Sequence, residues 1–375
     1  MPNESTYRIA DFASAMDEFA PTALAQEWDN VGLLAGSLNA TFEKALYCID
    51  LTPAVAQEAV EQQVHVVMAY HPPIFKPLKQ ITGETTHDCF PLFQCLSHGI
   101  AVYSTHTALD AATGGTNDIL AAACGMTERQ PLEHVPAPGP DRFKLTVFVP
   151  HADIQGVSQA MFDAGAGVIG DYDSCSFRVE GTGSFRGNES TNPAVGKKEQ
   201  FEEVGEARLE VVVPKARLAA VVDAMIVSHP YEEPAYDIYG LTPPPIRGIG
   251  RVGKLPDGST VASVARRLRD ACHAACVQFV GKAEAPVRRG IIVVGSAGRM
   301  PFQVGLGSGD VVITGEIRHH DALAFQTAGA AAIALNHWTS ERPALAALME
   351  GITKKLPGTT HIVSEADCEV FTPLE

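Results

Sequence analysis

Four times in this chain a short apolar run breaks off into histidine or carboxylate. VVMAY ends on His71, and IAVYS leads into His106 and Asp110. VVITG stops at Glu316, with His319 and His320 after it, and AIALN gives way to His337 and Glu341. Apolar runs of this length, separated by segments of helical periodicity, carry the β-α-β signature of an α/β layer. Open sheets of that kind place their ligands outside the carboxyl ends of the strands, which is where these polar residues fall.

The rest of the chain fits around those runs. Ile9, Phe12, Met16 and Phe19 mark one face of an N-terminal helix over 7–20. KALYCIDLT reads as a strand, Pro53 opens the helix after it, and Pro72 and Pro73 stop the strand that ends at His71. After Met126 the texture changes, and the proline-rich QPLEHVPAPGPDR reads as a boundary. Beyond it a strand, a helix, strands with glycine turns in GDYDSCSFRVEGTGSFRGN, another helix and a last strand give a β-α-β-β-α-β order. That order predicts a small ferredoxin-like module, with PPPIRGIG at its exit. The expected organisation is an α/β main domain over 1–128 and 247–375, interrupted by an inserted domain over 129–246.

A chain of 375 residues with 46% hydrophobic and 19% charged content is expected to bury two or three ordinary domain cores. No run of about 18 apolar residues predicts a membrane span. The N-terminus lacks the basic and apolar regions of a secretory signal. The eight scattered cysteines, without a CxxC pair, read as free thiols of a cytoplasmic protein. A net charge of −16 excludes broad nucleic-acid binding, which rests on Lys and Arg neutralising phosphates. An anionic small molecule held at a local positive centre remains compatible with it.

Histidine nitrogen and carboxylate oxygen without thiolate form the ligand set of a catalytic zinc, iron or manganese site with open positions. HxxxD in 106–110 and HxxxE in 337–341 each supply two donors from one strand-to-helix turn. A single histidine at a strand end also serves as a hydrogen-bonded structural residue, so the repetition at four ends is what points to a metal. The loop GSAGR at 295–299 offers a phosphate cradle or, more simply, a tight turn between strand and helix.

EWDNVGLLAG, AYHPPIF, STHTALDAATGGTNDILA, TGEIRHHDALA and NHWTSE occur in this order, and together they resemble the NIF-three-like family. Its bacterial members are often called GTP cyclohydrolase I type 2 homologues. The insert resembles the PII/CutA-like insertion of the longer members. The resemblance implies a two-layered α/β subunit in a toroidal homohexamer, with two divalent metal ions per subunit facing the interior. It implies His71, Asp110, His337 and Glu341 as ligands, with His106 a further candidate. Tyr70 stands where many members have a second histidine, and a tyrosine hydroxyl is a poorer ligand at neutral pH. The implied activity is metal-dependent hydrolysis of a small molecule such as GTP or another nucleotide. Glu316, His319 and His320 would orient ligands or move protons. The alternative is a non-enzymatic metal-binding protein whose insert senses a ligand or a partner.

Overall fold

The computed structural model describes residues 7–135, 139–242 and 247–373. The chain divides into a unit formed by Met1–Pro136 and Pro245–Glu375 and a second formed by Ala137–Pro244. Its strands, in chain order, begin with β1 (Gly32–Ala35), β2 (Lys44–Cys48), β3 (Val66–Ala69), β4 (Ala101–Ser104) and β5 (Thr127–His134). Next come β6 (Arg142–Pro150), β7 (Ser176–Arg186), β8 (Phe201–Pro214) and β9 (Tyr236–Leu241). The last six are β10 (Gly248–Lys254), β11 (Gln278–Val280), β12 (Arg289–Ser296), β13 (Asp310–Glu316), β14 (Ala331–Ala334) and β15 (Thr360–Val363).

The first unit holds two sheets. One has the order β1-β4-β3-β2-β15, parallel except for the antiparallel edge strand β1. Side chains alternate between its faces, as the pleat requires. Ala45, Tyr47, Met68 and Tyr103 share one core with the helices Ile9–Phe19 and Ala344–Lys355. Leu46, Cys48, Val67 and Val102 share another with the helices Pro53–Glu61 and Phe90–Ser97. Burial on both faces explains why these strands read as unbroken apolar runs.

The second sheet has the order β11-β14-β13-β12-β10-β5, with β12, β13 and β14 parallel and the other strands antiparallel to their neighbours. Ile292, Val294, Val311 and Ile313 pack with the helices Thr116–Ala123 and Val261–Ala271. On the other face Ile291, Val293 and Val312 meet Phe325 of the helix His319–Ala328. The α/β class is therefore as expected. The first boundary is not. The segment 129–134, read as the start of the insert, belongs to β5 and pairs with β10 from Gly248↔His134 to Lys254↔Thr127. It escaped notice because most of β5 is exposed and shows no apolar alternation.

The second unit runs strand, helix, strand, strand, helix, strand, and its sheet has the all-antiparallel order β7-β8-β6-β9. Leu145, Val147, Leu209 and Val211 form its core with Val157 and Met161 of one helix and Val221 and Met225 of the other. Gly181 and Gly183, expected to turn the chain, lie inside the eleven-residue strand β7 instead. A Cβ on Gly183 would stand 2.1 Å from Glu206 Oε2, so close packing is what demands glycine there.

Among the described residues no helix is long and apolar enough to cross a membrane. Cys48, Cys89, Cys95, Cys124 and Cys272 are buried free thiols.

One fold contact carries a pH prediction. His361 on β15 lies between the Tyr47 hydroxyl, 2.8 Å from Nδ1, and the Thr359 hydroxyl, 2.7 Å from Nε2. Burial pushes it down from its ordinary 6.5 to about 4. Between those values the unfolded chain binds a proton that the folded chain refuses. Stability should therefore fall as pH drops through about 6.5, and the loss should level off below about 4. Discounted for its partial exposure, the effect is about 1–2 kcal/mol. Urea melts at pH 7.5 and 5 should show that much less acid sensitivity in His361→Gln than in the unaltered chain. Equal sensitivity refutes the assignment.

Candidate metal centre

The carboxyl ends of both sheets in the first unit deliver side chains to one place. His71 follows β3, with its backbone N–H donating to the Ile49 carbonyl at 3.0 Å. His337 and Glu341 lie four residues apart on the short helix His337–Glu341 after β14, which puts both on one face. Asn336 opens that helix at φ +75° and ψ 154°, a strained geometry for a residue with a side chain. Its N–H is tied to the Gly315 carbonyl at 3.0 Å.

The three side chains offer donor atoms that all lie within 4.8 Å of one another. His337 Nε2 stands 3.2 Å from Glu341 Oε1, and His71 Nε2 stands 3.4 Å from Glu341 Oε2. The other nitrogen of each ring is committed elsewhere. His71 Nδ1 meets Asp50 Oδ1 at 2.9 Å, and His337 Nδ1 meets Glu316 Oε1 at 2.9 Å. A carboxylate on Nδ1 fixes the tautomer that presents Nε2 to an ion.

Glu341 supplies the test of fit. It is only 3% exposed, and its Oε2 is buried without a hydrogen-bond partner. A carboxylate oxygen left this way in a protein interior is costly to bury, and either the two neighbouring imidazolium rings or a bound divalent ion offsets that cost. Gly295 makes room for it, since a Cβ there would sit 2.5 Å from Glu341 Oε1 and 3.0 Å from His337 Nε2. The donor set therefore fits a divalent ion. The first glycine of the 295–299 loop serves this contact, and Arg299 lies over the Phe302 ring at 4.7 Å.

Electrostatics agree. Burial opposes a charge on His71, but Asp50 and Glu341 outweigh it and raise the ring to about 10. The Glu341 carboxylate raises His337 to about 9, against its burial. Burial works against ionised Glu341 too, yet the two imidazoles hold it below its ordinary range. Both rings thus carry protons at neutral pH until an ion displaces them.

Asp110 and His106 stand beside this group. Tyr70 donates to Asp110 Oδ1 at 2.6 Å, and the Thr116 hydroxyl donates to the same oxygen. Burial, helped by the Glu341 charge, raises Asp110 to about 6 against those two hydrogen bonds. Burial first, then the Asp110 and Glu341 charges, raises the Tyr70 hydroxyl, which keeps it a donor. His106 Nδ1 is held by Asp29 Oδ1 at 2.8 Å, and its ring centroid lies 5.4 Å from that of His71. Trp28 and Phe75 pack edge-on around it, at 5.9 and 6.4 Å. Glu316 thus touches a ligand-competent histidine. His319 and His320 are exposed, and the ring contact described for them is with each other at 5.5 Å.

Asp50, Asp29 and Asp367 were not read from the sequence as part of the site. Asp50 closes an apolar run much as the other four do, so its signal was present. Asp29 sits in the motif EWDNVGLLAG without its role being visible. Asp367 accepts from Trp338 Nε1 at 2.9 Å and from Arg342, fastening the helix that carries His337 and Glu341. Its Oδ2 also takes the Ile49 N–H at 2.8 Å, one residue before Asp50. Nothing in the local sequence around Asp367 announces that.

The family model described as Duf34/NIF3 (NGG1p interacting factor 3) matches residues 7–369. The chain belongs to the Duf34/NIF3 family. Within it, the chain is 36% identical over 365 residues to the GTP cyclohydrolase 1 type 2 homolog of Bacillus subtilis, covering 95% of this chain and 96% of that one. The protein of the same name from Mycobacterium tuberculosis is 34% identical over 340 residues, 90% and 89% of the two chains. A crystal structure of a Bacillus cereus protein related to NIF3 matches with a TM-score of 0.82 at 30% identity, over 98% of this chain and 99% of that one. This Duf34/NIF3 chain therefore shares fold and length with those relatives.

Proposed function

We propose that this protein is a metal-dependent hydrolase of a small, ring-bearing substrate, with GTP or another nucleotide as the first candidate. The observation that carries the reading is the buried Glu341 carboxylate, its Oε2 without a hydrogen bond, between two imidazoles that each turn Nε2 to one of its oxygens. His71, His337 and Glu341 would hold the ion, and by the family resemblance Asp110 and His106 would serve a second one. A bound divalent ion supplies Lewis acidity and makes water a nucleophile near neutral pH.

The chain's own groups supply the rest. Asp50 and Glu316 keep the imidazoles oriented through Nδ1. Glu316 is half-exposed, so it can pass a proton between the site and solvent. Asp110, raised to about 6, can accept a proton near neutral pH. Trp28 and Phe75, 59% and 50% exposed, form an apolar wall beside His106 against which a planar base can pack. No contact joins the exposed His319 and His320 to the three ligand candidates among the described residues, so neither carries a role in this reading. Assembly as a homohexamer belongs to the same reading; it rests on the family resemblance and is checked by light scattering.

The names of the Bacillus subtilis and Mycobacterium tuberculosis relatives support GTP as the first substrate to try. Metal-loaded protein incubated with GTP should yield a ring-opened product on chromatography. Asp110→Ala should lower the rate by about 10–100-fold, as loss of a group next to a metal site does. Absence of turnover with GTP and with a panel of phosphoesters, in both proteins, would sink the hydrolase reading.

A further inference from the structure

The second unit carries a cavity of about 560 Å³ that the proposed chemistry does not use. That volume falls in the range of small-molecule pockets. Its floor is the sheet face turned away from the two helices. There Gly181 pairs with Glu206 and Val179 with Arg208, one residue out of step with the core-facing Ala207 and Leu209.

Glu206 is the feature that needs an explanation. It is 8% exposed, so about nine-tenths of it is buried. Its described side-chain partner is the Tyr231 hydroxyl, which donates to Oε1 at 2.8 Å. Among the described residues no lysine, arginine or histidine pairs with it. Arg208 lines the cavity but is turned to Glu210 at 2.9 Å. His229 lies close by with both ring nitrogens spent on the backbone. One faces the Phe148 carbonyl at 3.0 Å and the other accepts the Tyr231 N–H at 3.1 Å, an arrangement that suits the neutral ring. A buried carboxylate with one neutral partner lacks the cation that ordinarily accompanies such a group.

Two further observations point into the cavity. Glu206 Oε2 lies across β7 over Gly183, where any Cβ would stand 2.1 Å away, so the strand is shaped around this carboxylate. Glu232 and Glu233 also line the space, and Arg186, the remaining cation of the lining, is exposed; Glu180 turns to the other face and pairs with His151 at 3.0 Å. Phe148, Phe185 and Tyr231 supply the apolar surface.

We infer that this cavity binds a small organic cation, an amine or guanidinium compound, whose charged head meets Glu206 and whose stem packs against Phe148, Phe185 and Tyr231. An anion would meet the Glu206 carboxylate there, with Glu232 and Glu233 in the same lining. A bare metal ion would find a single buried carboxylate in a space far larger than its coordination shell. The chain's net charge of −16 favours the approach of a cation as well.

Calorimetric titration of the full-length, metal-loaded protein with agmatine, and separately with putrescine, tests the inference. Glutarate serves as an anion of similar length. At least one cation should bind saturably at one per chain, and glutarate should not. Glu206→Gln keeps the volume and can still accept from Tyr231, and it should weaken binding at least ten-fold with the metal content unchanged. Hydrogen exchange of the unaltered protein gives a readout that needs no variant: the cation should protect amides in 201–210 and 229–235. No saturable binding of either cation, preference for glutarate, equal binding by folded Glu206→Gln, or protection confined to other segments would each overturn it.

Discussion

Glu341→Gln should leave the protein with well below one metal ion per chain after gel filtration, where the unaltered protein should retain at least one. The substitution changes almost nothing but charge and one donor atom. Glu341 is buried, and its Oε2 makes no hydrogen bond that the fold would miss. Its oxygens instead face His337 Nε2 at 3.2 Å and His71 Nε2 at 3.4 Å. An amide in that place offers one weak oxygen donor and turns an N–H₂ toward the ion or the rings. Removing the charge also withdraws the interaction that helps raise both histidines. Glu316→Ala should be milder, weakening metal affinity about 10–100-fold, because it frees His337 Nδ1 without removing a donor. Elemental analysis of the two variants separates these cases. An unchanged ion count in Glu341→Gln would refute the ligand assignment, and Glu316→Ala losing more than Glu341→Gln would reverse the roles of the two carboxylates.

The parts of this arrangement that were legible in the sequence are those written by periodicity. His71, His106 and His337 announce themselves because a fully buried strand must be apolar throughout and its end is where polarity returns. The helix 337–341 brings His337 and Glu341 together by spacing alone. What was not legible depends on pairs far apart in the chain. Tyr70 could be seen to replace a histidine, but its hydrogen bond to Asp110 spans forty residues and needs β3 and β4 side by side. Asp367 is one of 44 acidic residues, and no local pattern separates it from those on the surface; Asp50 does close an apolar run, but its pairing with His71 needs β2 beside β3. β5 and β7 were misread for the converse reason. Strands exposed along most of their length carry no apolar alternation, and Gly181 and Gly183 look like a turn until the Glu206 carboxylate is seen lying over them.

Arg251→Ala should destabilise the first unit by about 3 kcal/mol, the cost of leaving a largely buried carboxylate with only the more distant, half-exposed Arg129 at 3.7 Å as its cation. Arg251 on β10 is 2% exposed, and all five of its N–H donors are used. Nε and one terminal nitrogen grip both oxygens of Asp118 at 2.8 Å. The same terminal nitrogen reaches the Ala112 carbonyl at 3.1 Å, and the other bonds the Gly248 and Gly250 carbonyls at 2.6 and 2.7 Å. Burial opposes the charge on Asp118, but the guanidinium outweighs it and holds the carboxyl below its ordinary range. Asp118 in turn takes the Gly114 N–H at 2.8 Å, so the clamp closes on the turn between the Asp110 helix and the next. Gly115 in that turn already packs so tightly that a Cβ would stand 1.8 Å from the Leu109 carbonyl oxygen. The position matters because β5 and β10 are antiparallel neighbours joined through more than a hundred inserted residues. A connection that long contributes little to holding its two ends in register, so side chains at the junction must do so. Urea melts should show the loss in Arg251→Ala and a partial recovery in Arg251→Met/Asp118→Leu, where the unpaired charge is gone. A single variant within 1 kcal/mol of the unaltered protein would mean that water reaches Asp118 and that backbone pairing alone keeps β5 on β10.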